Sequence, residues 1–138
     1  MRKFIFSLVI IVSVISCNSD DYPDLDFKQE MRNFVIGISE YSRTIKTNFI
    51  IIPQNGIELV TINGEESDTL ADRYLSAIDG NGQEDLFYGY DNDDQATSTE
   101  DNIYLKTFLD KSKKSGNTIL VTDYCSTLSK MANSYTQN

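Results

Sequence analysis

Three features of the 138-residue sequence predict a parallel α/β fold, either half of a (β/α) barrel or a small open sheet. First, Phe49-Ile50-Ile51-Ile52 is apolar with no polar alternation, the pattern of a strand buried on both faces of a parallel sheet. Pro53 ends it, because proline offers no N–H to a ladder. Second, apolar runs alternate with helical patterns in the order α-β-α-β-α-β-α, with connections long enough for crossovers between parallel strands. Third, three runs hand over to polar and aromatic groups, which in α/β proteins is where ligands bind. These are Gln54-Asn55-Gly56, Glu84 through Gly89, and Thr122-Asp123-Tyr124-Cys125.

The chain opens with the basic Met1-Arg2-Lys3 and an apolar core, Phe4 to Ile15, too short to span a bilayer as a mature helix. Residues 1–17 therefore read as a secretory signal. Val14-Ile15-Ser16-Cys17 resembles the lipobox of bacterial lipoproteins, the alternative being an ordinary signal peptide cut nearby. Lipidation is expected at Cys17, with the protein held at the outer membrane or cell surface. Asp20-Asp21 resembles the acidic export tag of surface lipoproteins in the Bacteroidetes. Residues 18–26, acidic and punctuated by Pro23, read as a tether, and residues 27–138 as one folded unit.

From Phe27 the residues Phe27, Met31, Phe34, Val35, Ile38, Tyr41 and Ile45 recur every three or four positions, which predicts a helix of about five turns with these residues inward. Asp26 is placed to cap it. Gly37 inside it costs about 1 kcal/mol relative to alanine, which implies a closely packed neighbour. After the Phe49–Ile52 strand, Asn63 to Ser67 is a turn-forming loop. Leu70, Tyr74, Leu75 and Ile78 mark a second helix with Asp68 as its cap. Ala77 to Tyr88 reads as a short strand, a turn at Gly80 and Gly82, and the polar-aromatic run from Glu84. Thr99 then caps a helix carrying Ile103, Tyr104, Phe108 and Leu109, and Gly116 closes it after a lysine-rich last turn. Ile119 to Val121 is the last strand, and Ser126 to Tyr135 the last helix, with Leu128 and Met131 inward.

Composition narrows the chemistry. With 21 acidic against 12 basic residues the net charge is −9, which repels nucleic acid and anionic lipid head groups and suits a neutral or cationic substrate. Contact with a membrane is then expected only through the lipid anchor. There is no histidine, which removes Ser-His-Asp triads, Cys-His pairs and histidine-based zinc motifs within this chain. Of the two cysteines, Cys125 alone is left once Cys17 is lipidated, so no intrachain disulfide forms, and without a base beside it Cys125 reads as a small buried hydrophobe. The loop Asp91-Asn92-Asp93-Asp94 superficially resembles a calcium loop. Counted from Asp91 it lacks the sixth-position glycine and twelfth-position glutamate of an EF-hand, and reads as a solvated loop. No metal or cofactor is expected.

Carboxylates remain. Glu84 and Asp85 stand at one strand end beside Phe87 and Tyr88, and Asp123 stands at the next beside Tyr124. Paired carboxylates among aromatic rings are what glycoside hydrolysis needs: a proton donor, a base or nucleophile, and flat surfaces for sugar faces. The same residues also suit the plainer task of capping the helices that follow. Gln54 and Asn55 fit either sugar hydroxyls or loop backbone groups.

The series MRNFVIGISEYSR, FIIIPQNG, YLSAIDGNGQEDLFYG and ILVTDYCS, over about residues 28 to 135, resembles the endo-α-1,4-polygalactosaminidase-related proteins of glycoside hydrolase family 114. The resemblance implies a parallel TIM-barrel-like (β/α) fold of which about half is present, and carboxylate catalysis on a polysaccharide or oligosaccharide that contains galactosamine. It implies Glu84 as the catalytic acid/base, with Gln54, Asn55, Tyr88, Asp123 and Tyr124 facing the pocket, and Asp85 beside Glu84 is a further candidate for substrate binding. Family members also carry an IGEAE-like strand and a DGVYLD-like strand that supplies the second carboxylate. Neither is in this sequence, and a truncated or partial product is the expectation. A non-catalytic surface carbohydrate-binding protein is the alternative reading.

Overall fold

A computed structural model describes residues 25–137. The leader, Cys17 and most of the tether lie outside the described residues. The described residues are mixed α/β, with four helices and a two-stranded parallel sheet. The elements are α1 (Phe27–Ile45), a 3₁₀ turn (Ile57–Val60), α2 (Asp72–Ala77), β1 (Gly80–Glu84), α3 (Thr99–Lys114), β2 (Thr118–Thr122) and α4 (Leu128–Gln137). Among the described residues no helix is long and apolar enough to cross a membrane.

α1 begins where its cap predicts: the Asp26 carboxylate accepts from the Gln29 N–H. Its orientation departs from the expectation. The residues it buries are Arg32, Ile36 and Ser39, while Phe27, Met31, Phe34, Ile38, Tyr41 and Ile45 face outward. Polar bonding turns the helix this way. The Arg32 guanidinium donates to the carbonyls of Leu59 (2.9 Å), Thr61 (2.5 Å) and Ile62 (2.6 Å), and the Ser39 hydroxyl to that of Ala77 (2.6 Å).

The Phe49–Ile52 segment lies parallel to β1 on the edge away from β2, yet it is not a full strand. Its carbonyls at Ile51 and Pro53 accept from Asp79 N and Gly82 N, and Asn55 N donates to Gly82 O, each at 2.8 Å. Its own donors are spent elsewhere: Pro53 has none, and the Ile51 N–H goes to the Asp79 carboxylate (2.7 Å), which Arg43 also holds at 2.8 Å. Only Gln54 forms a bridge, to Gly82. Burial on both faces is likewise corrected, since Ile51 is buried and Phe49, Ile50 and Ile52 are exposed.

The glycine-rich stretch expected as a turn is β1 itself, in register from Gly80 opposite Thr118 to Glu84 opposite Thr122. Glycine belongs at position 80 because a Cβ there would stand 2.5 Å from the Thr118 carbonyl oxygen. Asn81 and Gln83 are buried on the face where Ile119 and Val121 pack against the core. The other face, with Leu120, is open. The core lies between this sheet face, α3 and the 3₁₀ turn, centred on Val60, Tyr74 and Phe108.

Three further expectations are adjusted. α2 starts at Asp72, and Asp68 instead closes the preceding loop by accepting from Asn63 N and Thr69 N. Ser98, not Thr99, caps α3, its hydroxyl accepting from Asp101 N, while Gly116 follows the helix at φ +98° as a C-terminal glycine should. α4 buries no residue: Leu128 and Met131 are exposed because no described element covers that face.

Candidate functional site

Glu84 ends β1, Asn55 follows the extended segment on one side, and Tyr124 follows β2 on the other. The parallel register brings their side chains together. Asn55 Nδ2 donates to Glu84 Oε2 at 2.8 Å, and Tyr124 Oη to Glu84 Oε1 at 2.5 Å. Asn55 holds its position because its own Oδ1 accepts from Glu84 N (3.1 Å) and from Gln83 Nε2 (3.4 Å), with the backbone left-handed at φ +58°, a conformation asparagine tolerates. Gln83 was not picked out in the sequence. It is buried, also donates to Glu84 O at 2.7 Å, and leaves its Oε1 without a partner among the described residues. The alternation Asn81, Gln83 against Gly80, Gly82, Glu84 was the available signal, once the segment is read as a strand.

The hydrogen bonds from Tyr124, then from Asn55, hold the Glu84 carboxyl below its ordinary range, against a smaller opposing effect of desolvation. Tyr124 is pushed up in return by sharing its proton with that carboxylate. Glu84 is thus set as an anion at the open end of the sheet.

Asp85 has the opposite setting. It is left-handed at φ +58°, and its Oδ1 is buried with no hydrogen-bond partner among the described residues. Burial, then the charges of Glu84, Asp123 and Asp93, push its carboxyl up. Gly89 leaves room for it, since a Cβ there would stand 2.5 Å from Asp85 Oδ1. The two adjacent carboxyls are thus displaced in opposite directions, Glu84 down by hydrogen bonding and Asp85 up by burial.

Gln54 is exposed beside Glu84. Asp123 and Tyr88 are drawn into structural bonding. Asp123 Oδ1 accepts from Phe87 N (2.9 Å) and Tyr88 N (3.2 Å), and its Oδ2 from the Ser134 hydroxyl (2.5 Å), so it organises the turn after β1. Tyr88 is buried, with its hydroxyl accepting from Asn133 Nδ2 at 2.7 Å. Tyr124 is therefore the aromatic side chain exposed beside Glu84, while Tyr88 supports the site from behind. Cys125 is half-buried against the core with its thiol pushed up by desolvation, the character of a packing residue. Among the described residues no group of three or more acidic or cysteine side chains is arranged to hold a metal ion.

No protein-family model and no curated protein matches the chain.

Proposed function

We propose that the chain is part of a lipid-anchored, glycoside hydrolase-like (β/α) barrel acting on a galactosamine-containing polysaccharide, with Glu84 as the catalytic carboxylate. The observation that supports this most is the Asn55–Glu84–Tyr124 constellation at the C-terminal ends of neighbouring parallel segments. An incoming sugar oxygen that takes over the Tyr124 or Asn55 hydrogen bond removes what depresses the Glu84 pKa, and lets Glu84 accept and return a proton during the reaction. The barrel reading is supported by the open sheet face, by the edge position of β2, and by the exposed apolar residues of α4. A cationic sugar suits the negative charge that Glu84, Asp93 and Asp123 bring to one end of the sheet.

The proposal is tested by co-expressing the chain with a complementary half-barrel. Turnover of galactosamine-containing polymers is then expected to fall at least about 100-fold in Glu84→Gln, the usual scale of a lost general acid/base. The second reading, a surface carbohydrate-binding protein without catalysis, draws on the ionised state of Glu84 and the exposed ring of Tyr124. Sugar binding with no hydrolysis in the completed wild-type protein would decide for it. Lipid anchoring is checked by detergent-phase partitioning, where Cys17→Ser should move the protein to the aqueous phase.

A further inference from the structure

The space between α1 and α3 is larger than the elements that fill it. α1 has 19 residues and α3 has 16, but α2, which falls between them in the chain, has six and starts only at Asp72. The 3₁₀ turn and the loop after it stand there instead, the turn packing on α1, α2 and α3 alike. They leave a cleft of about 880 Å³ between the start of α1 and Tyr104 of α3. That is the size of a small-ligand site. Both walls of the cleft are described elements, whereas strands added to the sheet join beside Phe49–Ile52 or beside β2, outside those walls.

The lining combines apolar surface with negative charge. Phe27, Met31 and Leu59 supply the apolar part, and Tyr104 adds an exposed ring, held by an edge-to-face contact with Phe108 at 5.2 Å between centroids. Glu58, Glu65 and Glu66 bring three carboxylates. Glu58 Oε1 accepts from the Tyr104 hydroxyl at 3.0 Å, and neither Glu65 nor Glu66 forms a salt bridge among the described residues. Among the described residues of the lining the one cation is Lys28, and its ammonium is spent on the Asn63 carbonyl at 2.7 Å. Desolvation, then the hydrogen bond to Glu58 and the charges of Glu58, Glu65 and Glu66, push the Tyr104 hydroxyl up to about 12, so all three carboxylates act on one point of the cleft.

Carboxylates around aromatic and aliphatic surface are complementary to an ammonium group carried on an apolar body. The glutamates and the face of an aromatic ring attract the charge, and the body covers the apolar lining. The residues that precede α1 do not have that chemistry, since Asp20, Asp21, Asp24 and Asp26 make them acidic. We propose that this cleft binds a small organic ammonium ion with an aromatic or aliphatic body. This goes beyond the functional reading and does not depend on it: Gly56 lines the cleft, but Asn55, Glu84 and Tyr124 do not.

Titration of the full chain with 2-phenylethylamine, followed by amide NMR shifts, tests it, with 2-phenylethanol as the uncharged probe of nearly the same shape. The amine should move the amides of Glu58, Glu65, Glu66 and Tyr104 saturably, and leave those of Glu84 and Tyr124 in place. It should bind at least about threefold tighter than the alcohol, the scale of one exposed ion pair. Glu65→Gln combined with Glu66→Gln should remove most of that preference. Both side chains are exposed, so the fold should hold, which far-UV circular dichroism checks. Tyr104→Leu keeps an apolar side chain but removes the ring, and should weaken the amine at least about twofold, the scale of an exposed cation–π contact. The absence of a saturable shift, equal affinity for amine and alcohol, or shifts centred on Glu84 and Tyr124 that ignore the Glu65 and Glu66 substitutions would each overturn the proposal. None of these results bears on Glu84 as the catalytic carboxylate.

Discussion

Tyr124 and Glu84, forty residues apart, share a hydrogen bond of 2.5 Å across the ends of two parallel strands. The bond depends on the β1–β2 register, which sets Glu84 opposite Thr122 and so brings the residue two positions further along within reach. It is also the largest cause of the low Glu84 pKa.

Tyr124→Phe removes that donor and keeps the ring. The Glu84 carboxyl should then titrate closer to its ordinary value, which carbon NMR of the side chain reads directly. Because the folded-state pKa lies below the unfolded one, Glu84 contributes stability above the ordinary carboxylate range and loses it as pH falls through the folded value. Tyr124→Phe should therefore flatten the acid limb of the stability profile. An unchanged Glu84 titration would mean the bond is not formed in solution.

Asp94 fastens the loop after β1 to the start of α4. Its carboxylate accepts from Ser126 N and Thr127 N at 2.9 Å and from the Thr127 hydroxyl at 2.7 Å, and Lys130 bonds both its side chain and its carbonyl. These bonds hold its pKa far below the ordinary range, so the fastening persists until strongly acid pH and is lost as the carboxyl protonates. Asp94→Asn retains a residue suited to the left-handed φ of +64° but removes the charge. The melting temperature should drop at neutral pH and converge with wild type in strong acid. Amide exchange at Ser126 and Thr127 should quicken.

Arg32 is 2 % exposed and serves three backbone carbonyls, and it forms no salt bridge among the described residues. Replacing a buried charge with an apolar side chain often costs little, but here the acceptors belong to the backbone and stay behind unpaired. Arg32→Met should lose about 3 kcal/mol in urea unfolding, since each orphaned buried acceptor costs about 1–3 kcal/mol. Arg32→Lys should recover only part of it, because an ammonium lacks the planar fork.

Gly80→Ala forces a Cβ to within 2.5 Å of a backbone oxygen on β2, whereas a Cβ at Gly82 meets only ordinary contacts at 3.5 Å or more. The first substitution should cost about 1–3 kcal/mol, the scale of overpacking, and the second should be near neutral. Equal effects would show that the β1–β2 approach is looser than drawn.

The elements with strong local signals were legible in the sequence. Asp26 begins α1 and Gly116 follows α3 because capping uses side chains within a few residues. Ile119 to Val121 is a strand because its pattern is β-branched and apolar. Reading failed where a distant polar partner outweighed local pattern. The apolar face of α1 lost to Arg32 and Ser39, which bond carbonyls nearly thirty or more residues away. β1 was hidden because glycine and amide residues carry no strand signature, although close backbone approach is what fits glycine there. At the site, Glu84, Asn55 and Tyr124 converge, but Asp123 and Tyr88 were drawn to Phe87 N and Asn133, partners that spacing alone does not reveal.

Asn55 is followed by Gly56, both are exposed, and both have left-handed backbones. An asparagine side chain before glycine is open to attack by the next backbone nitrogen, which expels ammonia and closes a succinimide that water then opens to aspartate or isoaspartate. At this position the product loses the Nδ2 donor and sets a second negative charge against Glu84, so the constellation carries its own chemical clock. In aged protein the Glu84 titration should move up in proportion to deamidation at Asn55, measured by peptide mass mapping. Storage history is therefore a variable in any assay of this site.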